Sequence, residues 1–362
     1  MARSGPTANY PQHHLLLPNL HPNDQMILLV KKLVAAAITL LVVPFLLVGQ
    51  DKPDRPPWAQ PSASPQSQPA PAAPKDKSED APSSSRNTVK VNVNLVTVLV
   101  SVLDEHNRPA PNLPVEGFQI LEEGVPQKID VFESETHLPL DIALMIDASL
   151  SAHMEKATEQ DAASHFIQQV LRPEDRLSVF SFDEQVRQLP PNFSDNVRAL
   201  QEAIHKIQDG AGTSIYDAVF LGSQALQKRK GERRRVIIML TDAGETTSRS
   251  DFEGARKAAL RAGILLYTIV IRPVKNENGR NTAGEHALQT ITESTGGAMF
   301  FPETSQELPM IFDRINSELR TQYRLAYYPN PRGPANTYRT IEVKVLPGYT
   351  ARHRTTYLTG PQ

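Results

Sequence analysis

LPLDIALMIDASLS, residues 138–151, has a proline in second place and continues as an apolar run broken only by Asp141. It stops at a carboxylate followed by hydroxyls. A run that is apolar on both of its alternating faces predicts a strand covered on both sides, the habit of parallel sheets. The flanking sequence agrees. TEQDAASHFIQQVL has helical spacing, RLSVFSFD reads as a strand, and SDNVRALQEAIHKI is again helical. Then follow YDAVFLGSQALQK (helix), RRVIIMLTD (strand), DFEGARKAALRAG (helix), ILLYTIVI (strand), GEHALQTITESTGG (helix), AMFF (strand) and SQELPMIFDRINSELRTQ (helix). Strands alternating with helices predict an α/β fold, a doubly wound, Rossmann-like, mostly parallel sheet over residues 138–322. Gly263 and Gly296-Gly297 stand where helix C-caps are expected. Ligands of such open sheets bind beyond the carboxyl ends of the strands.

On either side the pattern is β. Residues 88–137 contain VNVNLVTVLVSVLD, a turn-rich EHNRPAPNLP and FQILEEGVPQKIDVFE, with a hairpin turn at Glu123-Gly124. Residues 323–362 contain YRLAYYPN, YRTIEVKVLPG and ARHRTTYL. Each segment is too short to bury a core by itself. Their expected arrangement is one small β-sandwich of about six strands, with the α/β domain inserted between its halves.

Ahead of these lies an address. Lys31 and Lys32 precede an apolar run from Leu33 to Val48, broken by Thr39 and Pro44. Its length falls between a secretory core of roughly 7–15 residues and a spanning helix of roughly 20. Residues 1–49 therefore read as a signal peptide or a signal anchor, with Met26 as the natural start of such a segment. Residues 50–87 carry nine of the chain's thirty prolines among Ser, Gln and Ala. That composition predicts an extended, disordered spacer. An export segment followed by a spacer predicts an extracytoplasmic head: secreted, periplasmic, or anchored and facing outward. Membrane contact is expected only through the N-terminal anchor.

The whole chain has 362 residues, a formal net charge of −2 and no cysteine. It has no strongly basic domain of the kind that binds nucleic acid. Disulfides, thiolate zinc sites and cysteine nucleophiles are excluded.

The chemistry gathers at the carboxyl side of the sheet. One strand ends in Asp147-Ala148-Ser149-Leu150-Ser151 and another in Thr241-Asp242. Between them lies the loop Gly210-Ala211-Gly212-Thr213-Ser214, which opens a helix. Two carboxylates and several hydroxyls make an all-oxygen donor set suited to a hard cation such as Mg²⁺, Mn²⁺ or Ca²⁺. In order and spacing these elements resemble the metal-ion-dependent adhesion site (MIDAS) of von Willebrand factor type A (VWA) domains. The flanking segments VNLVTVLVSV and YRLAYYP are similar to those of exported acidobacterial proteins with a VWFA-related domain. The resemblance implies the VWA fold over residues 138–322. It implies Ser149 and Ser151 as hydroxyl ligands and Thr213 as a third protein oxygen. Asp147 and Asp242 would act mainly through water or as hydrogen-bond acceptors. Leu150 and Ala243 depart from the family pattern, which favours glycine at both places.

These observations predict a non-enzymatic interaction module. A divalent metal held by Asp147, Ser149, Ser151, Thr213 and Asp242 would capture an Asp or Glu carboxylate of a protein partner. The alternatives are an envelope scaffold with an incidental metal and, less favoured, a metal-dependent hydrolase. The sequence has no H-E-x-x-H, G-x-S-x-G or P-loop pattern. Ser149 also stands where an aspartyl-phosphate phosphotransferase would carry its second Asp. The basic run Lys228–Arg235 reads as a solvated connection, and His153 as a surface or packing residue. Tyr323, Tyr327, Tyr328, Tyr338 and Tyr357 read as cross-strand packing.

Overall fold

The computed structural model describes residues 95–134, 137–150, 156–271 and 281–360. The export segment, the proline-rich spacer, Ser151 and His153 lie outside the described residues.

A six-stranded sheet forms the centre. Its strands are β5 (Leu140–Asp147), β6 (Arg176–Phe182), β7 (Val186–Ser194), β8 (Arg234–Thr241), β9 (Ile264–Val270) and β10 (Met299–Phe300), in the order β10-β9-β8-β5-β6-β7. All neighbouring pairs are parallel except β6–β7. The apolar run of β5 is buried along its whole length because both faces are covered. Leu140, Ile142, Leu144 and Ile146 point into one core, Ala143 and Met145 into the other. Helices α1 (Lys156–Val170), α2 (Val197–His205) and α6 (Leu308–Arg320) cover the first face. Helices α3 (Ile215–Gln227), α4 (Phe252–Ala262) and α5 (Thr282–Thr295) cover the second. Gly263 and Gly296 end α4 and α5 in the left-handed conformation, as their places in the sequence predict.

Strand β7 is the one strand of this sheet that the alternation does not predict. It carries Pro190 and Pro191. Its place at the sheet edge leaves their missing N–H groups without consequence.

Residues on both sides of the α/β body build two four-stranded sheets. One has the order β13-β1-β11-β4, the other β14-β12-β2-β3. Their strands are β1 (Val96–Leu103), β2 (Phe118–Glu122), β3 (Val125–Gln127), β4 (Val131–Glu133), β11 (Tyr323–Tyr327), β12 (Tyr338–Val345), β13 (Thr350–His353) and β14 (Thr356–Leu358). Val98, Val100, Ile120, Tyr323, Tyr327 and Val343 are among the side chains of their shared core. The sandwich therefore has eight strands rather than about six. The extra strands are three or four residues long, too short to show a period. Tyr323, Tyr327 and Tyr357 are buried here, whereas Tyr328 and Tyr338 are exposed.

Only part of the basic run is a solvated connection: Lys228 and Lys230 are exposed, whereas its four arginines are drawn into the fold. Arg229 and Arg233 both pair with the fully buried Asp141, at 3.0 and 2.8 Å. Arg235 donates to the carbonyls of Leu226 and Ala262, at the ends of α3 and α4. Arg234 donates to the carbonyls of Leu138 and Leu319. In an α/β layer the helix C-termini gather at the amino edge of the sheet, and guanidinium groups offset their partial negative charge. The helix N-termini gather at the other edge, where the oxygen-rich residues lie.

One histidine ties the two sandwich sheets together. His353 Nε2 accepts the Val343 N–H at 3.0 Å, and Nδ1 donates to the Arg354 carbonyl at 2.9 Å. The bond accepted by Nε2 requires the neutral ring. Burial holds the His353 pKa below the ordinary histidine value, and the charge of Arg354 adds to this against the pull of Glu342. The unfolded chain therefore binds a proton at this site before the folded one does, and stability falls with acid below about pH 6.5. Urea titrations between pH 7.5 and 5 should show this loss. Replacing His353 by Gln should flatten it, at a cost of about 1–3 kcal/mol at neutral pH for the broken bond. An unaltered pH slope in the variant would show that His353 is not its source.

Candidate metal centre

β5 and β8 are adjacent and parallel, with Ile146 opposite Leu240. Their carboxyl ends therefore lie side by side. The chain leaves β5 towards β6 on one side, while β8 flanks β5 on the other. This is the switch point of the sheet, where the two connections diverge and leave a crevice.

Asp147 closes β5. Its Oδ1 accepts the Ser149 N–H at 3.0 Å, and its Oδ2 accepts the Thr241 hydroxyl at 2.6 Å. It is 6% exposed. Burial pushes its carboxyl up to about 6 against these hydrogen bonds, and the negative charge of Asp242 acts in the same direction. Ser149 is buried and pairs with Gly210 in a parallel bridge, and the Gly210 N–H donates to the Ala148 carbonyl at 2.9 Å. The Asp147 turn and the glycine loop are thus stitched together through their backbones.

The same loop carries Thr213, which is 3% exposed. Its N–H donates to the Thr246 hydroxyl at 2.8 Å, and its carbonyl accepts the N–H groups of Thr246 and Thr247. Those threonines follow Asp242, whose Oδ1 accepts the Gly244 N–H at 2.8 Å. Three segments far apart in sequence therefore meet at one edge: 147–149, 210–213 and 241–247. Of the five predicted site residues, Asp147, Ser149, Thr213 and Asp242 are brought together; Ser151 lies outside the described residues. Leu150, at the rim, is 65% exposed.

Two glycines make the edge compact. A Cβ on Gly210 would lie 2.1 Å from the Asp183 carboxylate, and one on Gly284 would lie 2.0 Å from the Ala243 carbonyl. Ala243 itself has a φ of 64°, so the loop after β8 turns sharply there. The turn seats it against the start of α5.

Sequence reasoning missed three supporting residues. Buried Asp183 accepts from Gln185 N and from Arg187 Nη1, beside Gly210. Glu245 and Ser248 accept the first amides of α3, with Tyr216 N at 3.2 Å from Glu245 Oε2 and 3.0 Å from Ser248 Oγ. They cap the helix that the Thr213 loop opens. The carboxylate ending FSFD and the acid- and hydroxyl-rich GETTS were the available signals.

Among the described residues neither Asp147 nor Asp242 takes part in an ion pair with Lys or Arg. Lys156, which lines the same small hollow as Asp147 and Ser149, is paired with Asp209. Two neighbouring carboxylates without a counter-charge, buried hydroxyls and no soft ligand form a donor set that fits a hard divalent cation.

Residues 142–245 match the family model of the von Willebrand factor type A domain. An uncharacterized protein of Synechocystis sp. is 26% identical over 186 residues. That alignment takes in 51% of this chain and 42% of the relative, so the chain spans less than half of the curated protein it matches. Similar solved structures include a von Willebrand factor type A protein from Catenulispora acidiphila, 11% identical with a TM-score of 0.45, covering 75% of this chain and 76% of that one. Another is the vWF domain of the type V pili tip protein Mfa5 from Porphyromonas gingivalis, 12% identical with a TM-score of 0.40, covering 50% and 95%.

Proposed function

We propose that the carboxyl edge of the central sheet is a metal-dependent adhesion site that captures an acidic side chain of a protein partner. The observation that carries this reading is the pair of neighbouring carboxylates, Asp147 and Asp242, that no Lys or Arg neutralises among the described residues. Ser149, Ser151 and Thr213 would hold Mg²⁺, or Mn²⁺ or Ca²⁺ in its place, through their hydroxyls. Asp147 and Asp242 would balance its charge. A bound cation supplies an electrophilic coordination position that a partner carboxylate can complete. The protein's own residues bury Asp147, Ser149 and Thr213 on the sheet side. That arrangement binds rather than turns over. The chain is read as a non-enzymatic interaction module. The scaffold reading would make partner capture independent of metal.

The test is retention of an envelope protein by the purified chain with Mg²⁺ and with chelator. Capture should require the metal and be lost in Asp147→Ala. Capture that persists in chelator would favour the scaffold.

The module is read as exported, on the strength of the apolar run Leu33–Val48 and the proline-rich stretch behind it. Among the described residues no helix is long and apolar enough to cross a membrane. Fusing residues 26–87 to a reporter active only outside the cytoplasm should give activity. N-terminal sequencing should distinguish a product starting near Gln50 from an uncleaved anchor. A cytoplasmic product that keeps residues 1–50 would refute export.

A further inference from the structure

The amino edge of the sheet holds a second feature. A cleft of about 430 Å³ opens between the starts of β8 and β9 and the β1–β11 side of the sandwich. Arg233, Arg234, Arg235, Arg324 and Arg354 line it, against a single carboxylate, Glu232. Leu95, Leu99 and Leu138 supply an apolar wall. Asp141 neutralises Arg233 and Glu133 neutralises Arg324. Arg234 and Arg235 hold helix-end carbonyls, which are neutral acceptors.

Arg354 has no such explanation. It caps no helix and forms no ion pair among the described residues. One of its terminal nitrogens donates to the Thr97 carbonyl, and its guanidinium stands 5.5 Å from the Tyr357 ring centroid. Its Nε is buried without a hydrogen-bond partner. A guanidinium drawn out of water is costly unless an anion offsets its charge. Burial holds the pKa of both Arg354 and Arg234 below the usual arginine value, and at Arg234 the charge of Arg320 acts in the same direction against that of Asp175.

We infer that this cleft binds a phosphate monoester carrying a small apolar body, with Arg354 on the phosphate and Leu95 and Leu99 along the body. Three guanidiniums without a carboxylate partner against Glu232 leave two positive charges, which match a phosphate dianion better than a carboxylate. Guanidinium forks suit phosphate oxygens. The volume lies within the range of small-molecule sites. The seven steps from Arg234 to Thr241 along β8 span about 23 Å at the usual rise. The cleft is therefore separate from the proposed metal edge, and the inference does not rest on it.

Calorimetry of the full chain in chelator, with phenyl phosphate, inorganic phosphate and benzoate, is the test. Phenyl phosphate should bind at one site, at least tenfold tighter than either of the others. Arg354→Met should weaken it at least tenfold, and Asp242→Ala should leave it unchanged. Leu95→Ser alters an exposed residue and keeps the test valid if Arg354→Met fails to fold. It should weaken phenyl phosphate several-fold and leave inorganic phosphate as it was. Absence of one-site binding by the wild type, benzoate binding as tightly as phenyl phosphate, or full affinity in Arg354→Met or Leu95→Ser would overturn the assignment.

Discussion

A chain truncated after Gln322 will lose the solvent-exchange protection of its β1 amides, although β1 itself is intact. β1 lies between two strands that both come from the deleted segment. Val96 to Val100 pair with Tyr327 to Tyr323 of β11, and Val100 to Leu103 pair with His353 to Thr350 of β13. In the other sheet, β2 pairs with β12 from Phe118 to Glu122. Without these partners the N-terminal segment keeps only the β2–β3 hairpin, and an isolated hairpin is marginal in water.

The shared core divides evenly. Val96, Val98, Val100, Val102, Phe118 and Ile120 come from one side, and Tyr323, Leu325, Tyr327, Ile341, Val343 and Tyr357 from the other. Exposing the first six would cost on the order of 10 kcal/mol, comparable to the net stability of a whole domain. Two further ties would go. Tyr323 Oη bridges Leu113 N and the Ala110 carbonyl, and Arg324 pairs with Glu133. Hydrogen exchange read at Val98, Val100 and Val102 should rise to unfolded rates in the truncated chain. Native protection there would show that residues 95–134 fold without their C-terminal half.

The parallel sheet was legible because its signal is local. A buried strand is apolar on both faces whatever it touches, and the helices between strands show their own period. The hairpin at Glu123-Gly124 was legible for the same reason, since a turn residue with φ of 49° and a glycine with φ of 76° mark it. The eight-strand count was not. Strands such as β4 and β14 owe their existence to pairing with β11 and β12, and three residues carry no period of their own. The fate of Lys228–Arg235 was hidden too. A charged residue reads as exposed until the fold supplies Asp141 and a row of helix ends to meet it. At the candidate site, the residues that end strands were legible, because chain order alone brings them to one edge. Asp183 ends a strand in the same way and could be read from FSFD; only its close approach to the Gly210 loop needed the fold.

The metal reading carries the second large effect. Asp147 and Asp242 lie at the ends of neighbouring strands with no Lys or Arg between them among the described residues. Removing either charge should lower cation affinity strongly and leave the fold in place, since both apolar cores lie below the site. Thr213 is different. It is a neutral oxygen on the glycine loop, so Thr213→Ala should lower partner binding more than metal binding. By reciprocity, whatever the partner gains from the metal, the metal gains from the partner.

Titration calorimetry with Mg²⁺ and Mn²⁺ on the wild-type chain and on Asp242→Ala tests the central claim most directly. One site is expected in the wild type, bound at least tenfold more weakly in Asp242→Ala, with the two proteins unfolding at similar urea concentrations. Equal heats from the two proteins, or no cation binding to the wild type, would contradict it.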